Sequence, residues 1–262
     1  MQVSNAVRVR QYPGLQPAVA PRPLLRDVSR EVASCAVCTL RQICMPVDIQ
    51  NAEAKLLFER LVTTRIRLRK GDVLFRAGDR FTALFALRVG SLKTVTCTDD
   101  GTEQVSGYHL PGEIVGVDGV GNDAYACQAV ALEDSEVCTL PFDRIERLAR
   151  DDASFQRRLY RLLSSAIVRE RTVTLVVATM RAEQRLASFL VDLSNRYHAR
   201  GYSSTEFVLR MTREEIGSHL GLKLETVSRL FSRFAEERLI AVSGRVIKLL
   251  DRAALHQLVV PG

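Results

Sequence analysis

The hydrophobic pattern changes character twice along the chain. From Arg65 to Phe142, short runs with β-branched residues alternate with turn signals: Lys70-Gly71-Asp72, Ala77-Gly78-Asp79, Val89-Gly90, Asp99-Asp100-Gly101, Pro111-Gly112-Glu113 and Gly121-Asn122-Asp123. Short strands at regular spacing with such turns between them predict a small all-β barrel or jelly roll. The strands expected are 72–76, 82–88, 91–98, 103–108, 124–131 and 135–141. Around Pro141 the period becomes helical. Leu159, Leu163, Ala166, Glu170, Val173, Val177 and Met180 step alternately by four and three, an a/d seam over three heptads. Its length, its narrowness and the acidic residue within it predict a seam between two chains; the plainer reading is a core helix packed on its own domain. Leu162, Ile167 and Val176 lie beside it and broaden the apolar face, with the β-rich domain as their expected partner.

The rest of the chain reads as helices and a final hairpin. A helix over 183–199 ends at Gly201, and Thr212-Arg213-Glu214-Glu215 is a capping box that opens a short helix ending at Gly221. A second helix is expected over 224–238, and runs 239–242 and 245–249 flank Ser243-Gly244, a tight hairpin signal. At the other end, residues 1–34 hold Pro13, Pro17, Pro21 and Pro23 without apolar periodicity and read as a flexible arm. Residues 35–50 carry clustered cysteines, and 51–61 has the spacing of a short helix. The expected organisation is therefore arm 1–34, cysteine-rich segment 35–50, β-roll domain 51–150, dimerisation helix 151–181 and winged-helix domain 182–262. The fold class is α+β.

Composition narrows the choice of class. With 262 residues, 47% hydrophobic and 26% charged, the chain is globular rather than disordered, collagenous or fibrous. Its longest uncharged apolar runs, such as Val173–Met180, fall far short of the ~20 residues of a membrane span. The first 34 residues have no apolar signal region, so a cytoplasmic protein is expected. A net charge of +7 permits nucleic acid as a partner, but the excess is spread along the chain and decides nothing alone.

The segment 212–237 has the spacing of a helix-turn-helix. Ile216, Leu220 and Leu222 would fill its interior, and Val227, Leu230 and Phe231 would form the buried stripe of the second helix. That leaves Glu225, Thr226, Ser228, Arg229, Ser232 and Arg233 on the outer face, where a recognition helix meets the major groove. Arg can bind guanine O6 and N7, Glu can accept from cytosine N4, and Ser serves either role. Lys223, Arg233 and Arg245 are candidate phosphate contacts, the last from a wing. The plainer reading is a helical hairpin with a solvated charged face. Lys223 is irregular, standing where Ser, Thr or Asp would cap a helix.

The six cysteines are Cys35, Cys38, Cys44, Cys97, Cys127 and Cys138. In a reducing compartment, clustered thiols point to metal or redox chemistry rather than to disulfides. Cys35, Cys38 and Cys44 form a C-x2-C-x5-C run, three parts of a four-thiolate set that suits zinc or an iron–sulfur cluster. The fourth thiolate must come from Cys97, Cys127 or Cys138. An enzyme is the contrasting class, but His109, His198, His219 and His256 are scattered without a nucleophile and an acid at a recognisable spacing. No glycine-rich phosphate loop follows a strand. The chain does not read as an enzyme.

Taken in order, the cysteine run, the β-rich middle with Pro111-Gly112-Glu113-Ile-Val-Gly116, the long helix and Leu224-Glu-Thr-Val-Ser-Arg229 resemble the oxygen-sensing FNR branch of the CRP/FNR transcription regulators. The resemblance covers about residues 35–255. It implies a jelly-roll sensor domain, a dimerisation helix, a winged helix-turn-helix, and regulation of anaerobic metabolism with RNA polymerase as a partner. It also implies a [4Fe–4S] cluster on Cys35, Cys38, Cys44 and Cys138, leaving Cys97 and Cys127 as non-ligands. Glu225, Ser228 and Arg229 become base-reading residues for a palindrome resembling TTGAT-N4-ATCAA. Glu170, with Ile167 beside it, becomes the dimer switch. The cyclic-nucleotide branch carries an Arg-Ser or Arg-Thr pair where this chain reads Ala124-Tyr125-Ala126-Cys127, so no cyclic nucleotide is expected. The remaining alternative is a zinc-stabilised or other-ligand regulator of the same fold without redox sensing.

Overall fold

The structure is a computed structural model that describes residues 28–29, 38, 61–62, 64–97 and 103–259. The expected helix over 51–61, the loop 98–102, and Cys35 and Cys44 lie outside the described residues, Leu61 excepted.

Two antiparallel sheets form the N-terminal half. One has the order β1 (Val28–Ser29), β2 (Thr64–Leu68), β9 (Ser135–Pro141), β4 (Ala83–Val89), β7 (Ile114–Val115). The other runs β3 (Val73–Phe75), β8 (Gln128–Ala131), β5 (Leu92–Cys97), β6 (Glu103–His109). Alternating residues of both enclose one core that includes Ile66, Leu84, Leu87, Leu92, Ala129, Val137 and Leu140. Phe75 stacks on Tyr125 at 3.9 Å, and Phe81 and Phe142 close one end of that core with edge contacts. The jelly-roll expectation is met.

Three details depart from the strand pattern. The strand expected over 124–131 runs unbroken only from Gln128: Ala124 makes an isolated bridge to Arg80, and the Asp118 carboxylate then takes the amides of Ala126 (2.7 Å) and Cys127 (3.1 Å). Thr64–Leu68 is an unanticipated strand whose Ile66 and Leu68 point into the core. Val28–Ser29, within the arm expected to be flexible, pairs with Ile66 and Arg65 as an edge strand.

Helix α1 (Phe142–Asp151) leads into α2 (Ala153–Thr179), the helix expected to pair two chains. Asp152 separates them and caps α2, its carboxylate accepting from Phe155 N at 2.7 Å. Phe155 and Leu159, one turn apart, are buried in the sensor core and fix the helix's rotation. That rotation corrects the partner expected for Ile167, which was to pack on the β-rich domain beside Val176. Leu159 and Val176 are buried within this chain, whereas Ile167 faces solvent at 54% exposure. Tyr160, Val168 and Leu175 are exposed with it, and so is Glu170. Periodicity found an apolar face but could not say which side the chain itself would cover.

After Met180 and Arg181, both in extended conformation, α3 (Ala182–His198) begins the C-terminal half. It packs on α4 (Arg213–Leu220), α5 (Leu224–Glu236) and α6 (Arg252–Val259). Strands β10 (Glu206–Val208), β12 (Val246–Leu249) and β11 (Ile240–Ser243) form a three-stranded sheet in that order. The second core joins Leu186, Leu190, Ile216, Phe231 and Phe234 to Val95, Val105, Tyr108 and Leu110 of the sensor half, so the domain junction is itself packed. Among the described residues no helix is long and apolar enough to cross a membrane.

Candidate nucleic-acid interface and cysteine site

The capping box forms as the sequence predicts. Glu215 N donates to Thr212 Oγ1 at 3.1 Å, and Thr212 N donates to Glu215 Oε2 at 2.7 Å. Helix α4 stops at Gly221, whose φ of +63° is left-handed. Gly217 permits the tight turn: a Cβ there would lie 2.5 Å from Leu222 O. Val227, Phe231 and Phe234 bury the inner stripe of α5, while Leu230 is only half-buried. The Arg213 guanidinium lies 3.2 Å from the centre of the Phe231 ring, and burial pulls its pKa down to about 10. That stack holds the first helix against the second.

The outer face of α5 carries Glu225, Ser228, Arg229, Ser232 and Arg233 to solvent, with Thr226 half-buried. Arg229 is exposed and leans along the helix, its Nε 3.4 Å from Glu225 O. Lys223 precedes the helix without a side-chain cap, as its residue type implies. Arg245 is exposed at the tip of the β11–β12 hairpin. Arg233, one of the expected phosphate contacts, reaches Glu237 at 2.7 Å and Glu183 at 3.2 Å. Both pairs are exposed, so phosphate oxygens can compete for the guanidinium.

The second site lies on the first sheet. Cys138 sits mid-strand in β9, directly opposite Arg65 of β2 and Ala86 of β4, and is buried. Burial pushes its thiol up, while Arg65 beside it pulls the other way. Cys38 is half-buried and lies in the neighbourhood of both Cys138 and Arg88. Arg88 reaches Glu136 at 2.7 Å, and Arg65 and Arg67 lie within 3.9 Å of the same carboxylate. Guanidiniums near a sulfur favour its anionic form, which suits a thiolate-ligated metal group. Among the described residues no group of three metal ligands is gathered. Cys97 is exposed at the end of β5, away from this strand, and Cys127 is buried beside Asp118 with its thiol pushed up by burial.

One cluster was not visible in the sequence. Glu113, singled out only as part of a turn, is buried and accepts from Arg169 (3.2 Å), Arg196 (2.7 Å) and Arg200 (2.6 Å). Burial alone would raise its pKa, but Arg196, Arg169 and His109 hold it down at about 2. The partners stand 56 to 87 residues away, so no local pattern announces them. A cavity of about 530 Å³ opens beside the cluster, lined also by Thr94, Asp118, Cys127 and Glu170.

Residues 65–152 match the cyclic nucleotide-binding domain family, and residues 184–258 match the Crp-like helix-turn-helix domain family. The transcriptional regulatory protein btr of Bordetella pertussis is 48% identical over 88% of this chain and 96% of its own length. The transcriptional activator protein anr of Pseudomonas aeruginosa is 42% identical over 85% and 91%. The fumarate and nitrate reduction regulatory protein of Escherichia coli K12 is 38% identical over 86% and 89%. Among solved structures, FixK2 from Bradyrhizobium japonicum aligns with a TM-score of 0.71 at 26% identity, over 77% of this chain and all of that one. With an exposed recognition helix behind a jelly-roll domain and relatives of this kind along its length, the chain belongs to the FNR-type branch of the CRP/FNR family of DNA-binding transcription regulators.

Proposed function

We propose that this regulator senses oxygen through a [4Fe–4S] cluster held by Cys35, Cys38, Cys44 and Cys138. The observation that carries the reading is that the half-buried Cys38 neighbours Cys138, buried mid-strand beside Arg65, although the two lie far apart in sequence. Cys35 and Cys44 flank Cys38 in the chain and complete the donor set. When bound, the cluster supplies an oxygen-labile link between the N-terminal segment and the sensor sheet. The protein's own part is to bury Cys138, to surround the sulfur with Arg65 and Arg88, and to convey the tie to α2.

As a homodimer paired along α2, the protein reads a palindrome resembling TTGAT-N4-ATCAA through Glu225, Ser228 and Arg229. Lys223, Arg233 and Arg245 contact phosphates, and RNA polymerase is the further partner. Ile167 offers an exposed apolar surface for pairing, and Glu170, one turn on, opposes it. Two such carboxylates ~6 Å apart at an effective dielectric of ~20 repel by roughly 3 kcal/mol. A tied N-terminal segment offsets that repulsion and favours the dimer.

No cyclic nucleotide is bound. Where a cyclic phosphate needs a cation and a hydroxyl, the Asp118 carboxylate already occupies the amides of Ala126 and Cys127. Tyr125 alongside is buried against Phe75 and donates to Ala83 O at 2.7 Å. A second anion there would be repelled by the Asp118 carboxylate. Iron and acid-labile sulfide analysis of anaerobically purified protein, with its visible spectrum, tests the cofactor. A colourless, zinc-loaded protein would replace oxygen sensing with the zinc-stabilised reading.

A further inference from the structure

The Pro111-Gly112-Glu113 loop of the sensor domain is gripped by the DNA-binding half. Arg196 on α3 donates to the Glu113 carboxylate through Nε at 3.1 Å and Nη2 at 2.7 Å, and Nη2 also reaches Tyr108 O at 2.5 Å. Arg200, just beyond α3, donates from Nη2 to Glu113 at 2.6 Å and from Nε to Pro111 O at 2.6 Å. Arg169 adds a third guanidinium from α2 at 3.2 Å, and Leu110 N donates to the same carboxylate at 3.2 Å. One enclosed carboxylate thus serves cations on the dimerisation helix and on the first helix of the DNA-binding domain. Charge-assisted, multiply bonded contacts of this kind fix direction as well as distance, which an apolar patch does not.

The same junction also holds the helix-turn-helix itself. Val105 N of β6 donates to Ser218 Oγ at 2.9 Å, Val105 O pairs with His219 Nδ1 at 3.1 Å, and Lys93 Nζ lies 2.7 Å from Glu215 Oε1. Ser218, His219 and Glu215 all belong to α4, against which the recognition helix packs through Arg213 and Phe231. A fixed α4 therefore fixes α5. The only covalent link between α2 and α3 is the extended pair Met180–Arg181, which by itself does not define an orientation.

We propose that Glu113 is a positioning residue for DNA recognition. Through Arg196 and Arg200 it bolts the DNA-binding domain to the sensor domain of its own chain, and through Arg169 it ties both to the dimerisation helix. In a dimer this sets the separation and angle of the two recognition helices, and hence the half-site spacing that both can engage at once. The proposal rests on dimeric binding to a two-fold site and is independent of the group the cysteines hold.

The test uses full-length protein as isolated anaerobically. Selection from random DNA with the wild type first defines its own preferred palindrome. Glu113→Gln keeps the side chain's size but removes the charge that three guanidiniums share. Binding is then measured by anisotropy on that palindrome, on versions with the spacer changed by one or two base pairs, and on a single half-site. Glu113→Gln is expected to form a dimer with the wild-type visible spectrum and unchanged half-site affinity. Its affinity at the preferred spacing should fall at least about tenfold, and its discrimination between spacings should largely disappear, because simultaneous engagement depends on geometry. A dimeric Glu113→Gln protein that discriminates spacings as the wild type does overturns the proposal. If Glu113→Gln yields no folded dimer, Arg200→Lys decides in the same assay. Lysine keeps the charge but cannot hold the Pro111 carbonyl and the carboxylate together, so spacing discrimination should weaken; wild-type discrimination there overturns the proposal equally. A loss confined to overall affinity, with spacing preference intact, also overturns it.

Discussion

On the outer face of the recognition helix, Arg233 reaches Glu183 and Glu237 across open surface. At the domain junction, Arg196 and Arg200 reach Glu113 with solvent shut out. The residue types are the same and the distances alike, yet the two regions do opposite work. Exposed pairs are screened and exchange partners easily, which suits a surface that must give its cations to phosphate. Enclosed pairs cannot be vacated without stranding a charge, which suits a joint that must hold its shape. The cysteine strand combines the two. Cys138 is buried, while Arg65 and Arg88 near it share the Glu136 carboxylate at the edge of the same strand.

The largest effect should come from the buried strand. Cys138→Ser replaces a soft thiolate with a hydroxyl that ionises poorly, and should abolish cluster retention in anaerobic absorption and iron assays. Cys127→Ser should retain the cluster, because Cys127 faces Asp118 rather than that strand. Full retention by Cys138→Ser would remove it from the ligand set.

Next in size is the exposed carboxylate on α2. Glu170→Ala removes a repulsion of roughly 3 kcal/mol between paired helices, about a hundredfold in a dimerisation constant. The cluster-free variant should sediment as a dimer in air where the wild type is monomeric. Identical sedimentation would place the switch elsewhere.

On the DNA face, Arg229→Ala should cost roughly 1–3 kcal/mol on the specific site and relax preference at one symmetric base pair. Arg233→Ala should weaken specific and random DNA alike and flatten the salt dependence. Equal losses on both kinds of DNA for Arg229→Ala would make it a phosphate contact instead.

The smallest effect separates buried from exposed groups by acidity. Burial pulls the pKa of His109 down to about 4, and the arginine cage holds Glu113 at about 2. A histidine kept neutral in the fold loses stability as pH falls from about 6.5 to 4, because the unfolded chain takes up its proton first. A depressed carboxylate contributes stability above about 4.5 and loses it as pH falls toward 2. Urea midpoints should therefore drop in two stages, and His109→Gln should flatten the upper one. An unchanged slope between pH 6.5 and 4 in that variant would mean that His109 is protonated in the folded protein.

Much of this protein was determined by the sequence itself, wherever the physics is local. The capping box at Thr212, the left-handed stop at Gly221 and the hairpin at Ser243-Gly244 depend on residues a few positions apart, and they form as read. The outward face of α5 follows from helical spacing once Val227 and Phe231 turn inward. Family membership was legible for a related reason, since the ordered motifs lie in contiguous stretches. Tertiary structure alone decided what depends on distant partners. Ile167 was expected on the sensor domain but is exposed, because periodicity marks an apolar face but not its occupant, and Phe155 with Leu159 set which side of α2 the sensor core covers. The strand before Gln128 was shortened by a carboxylate from another turn. The arginine cage of Glu113 joins residues up to 87 positions apart. A charge reads as a solvated surface group along the chain, and only the closing of two domains over it makes it a fixed point of the structure.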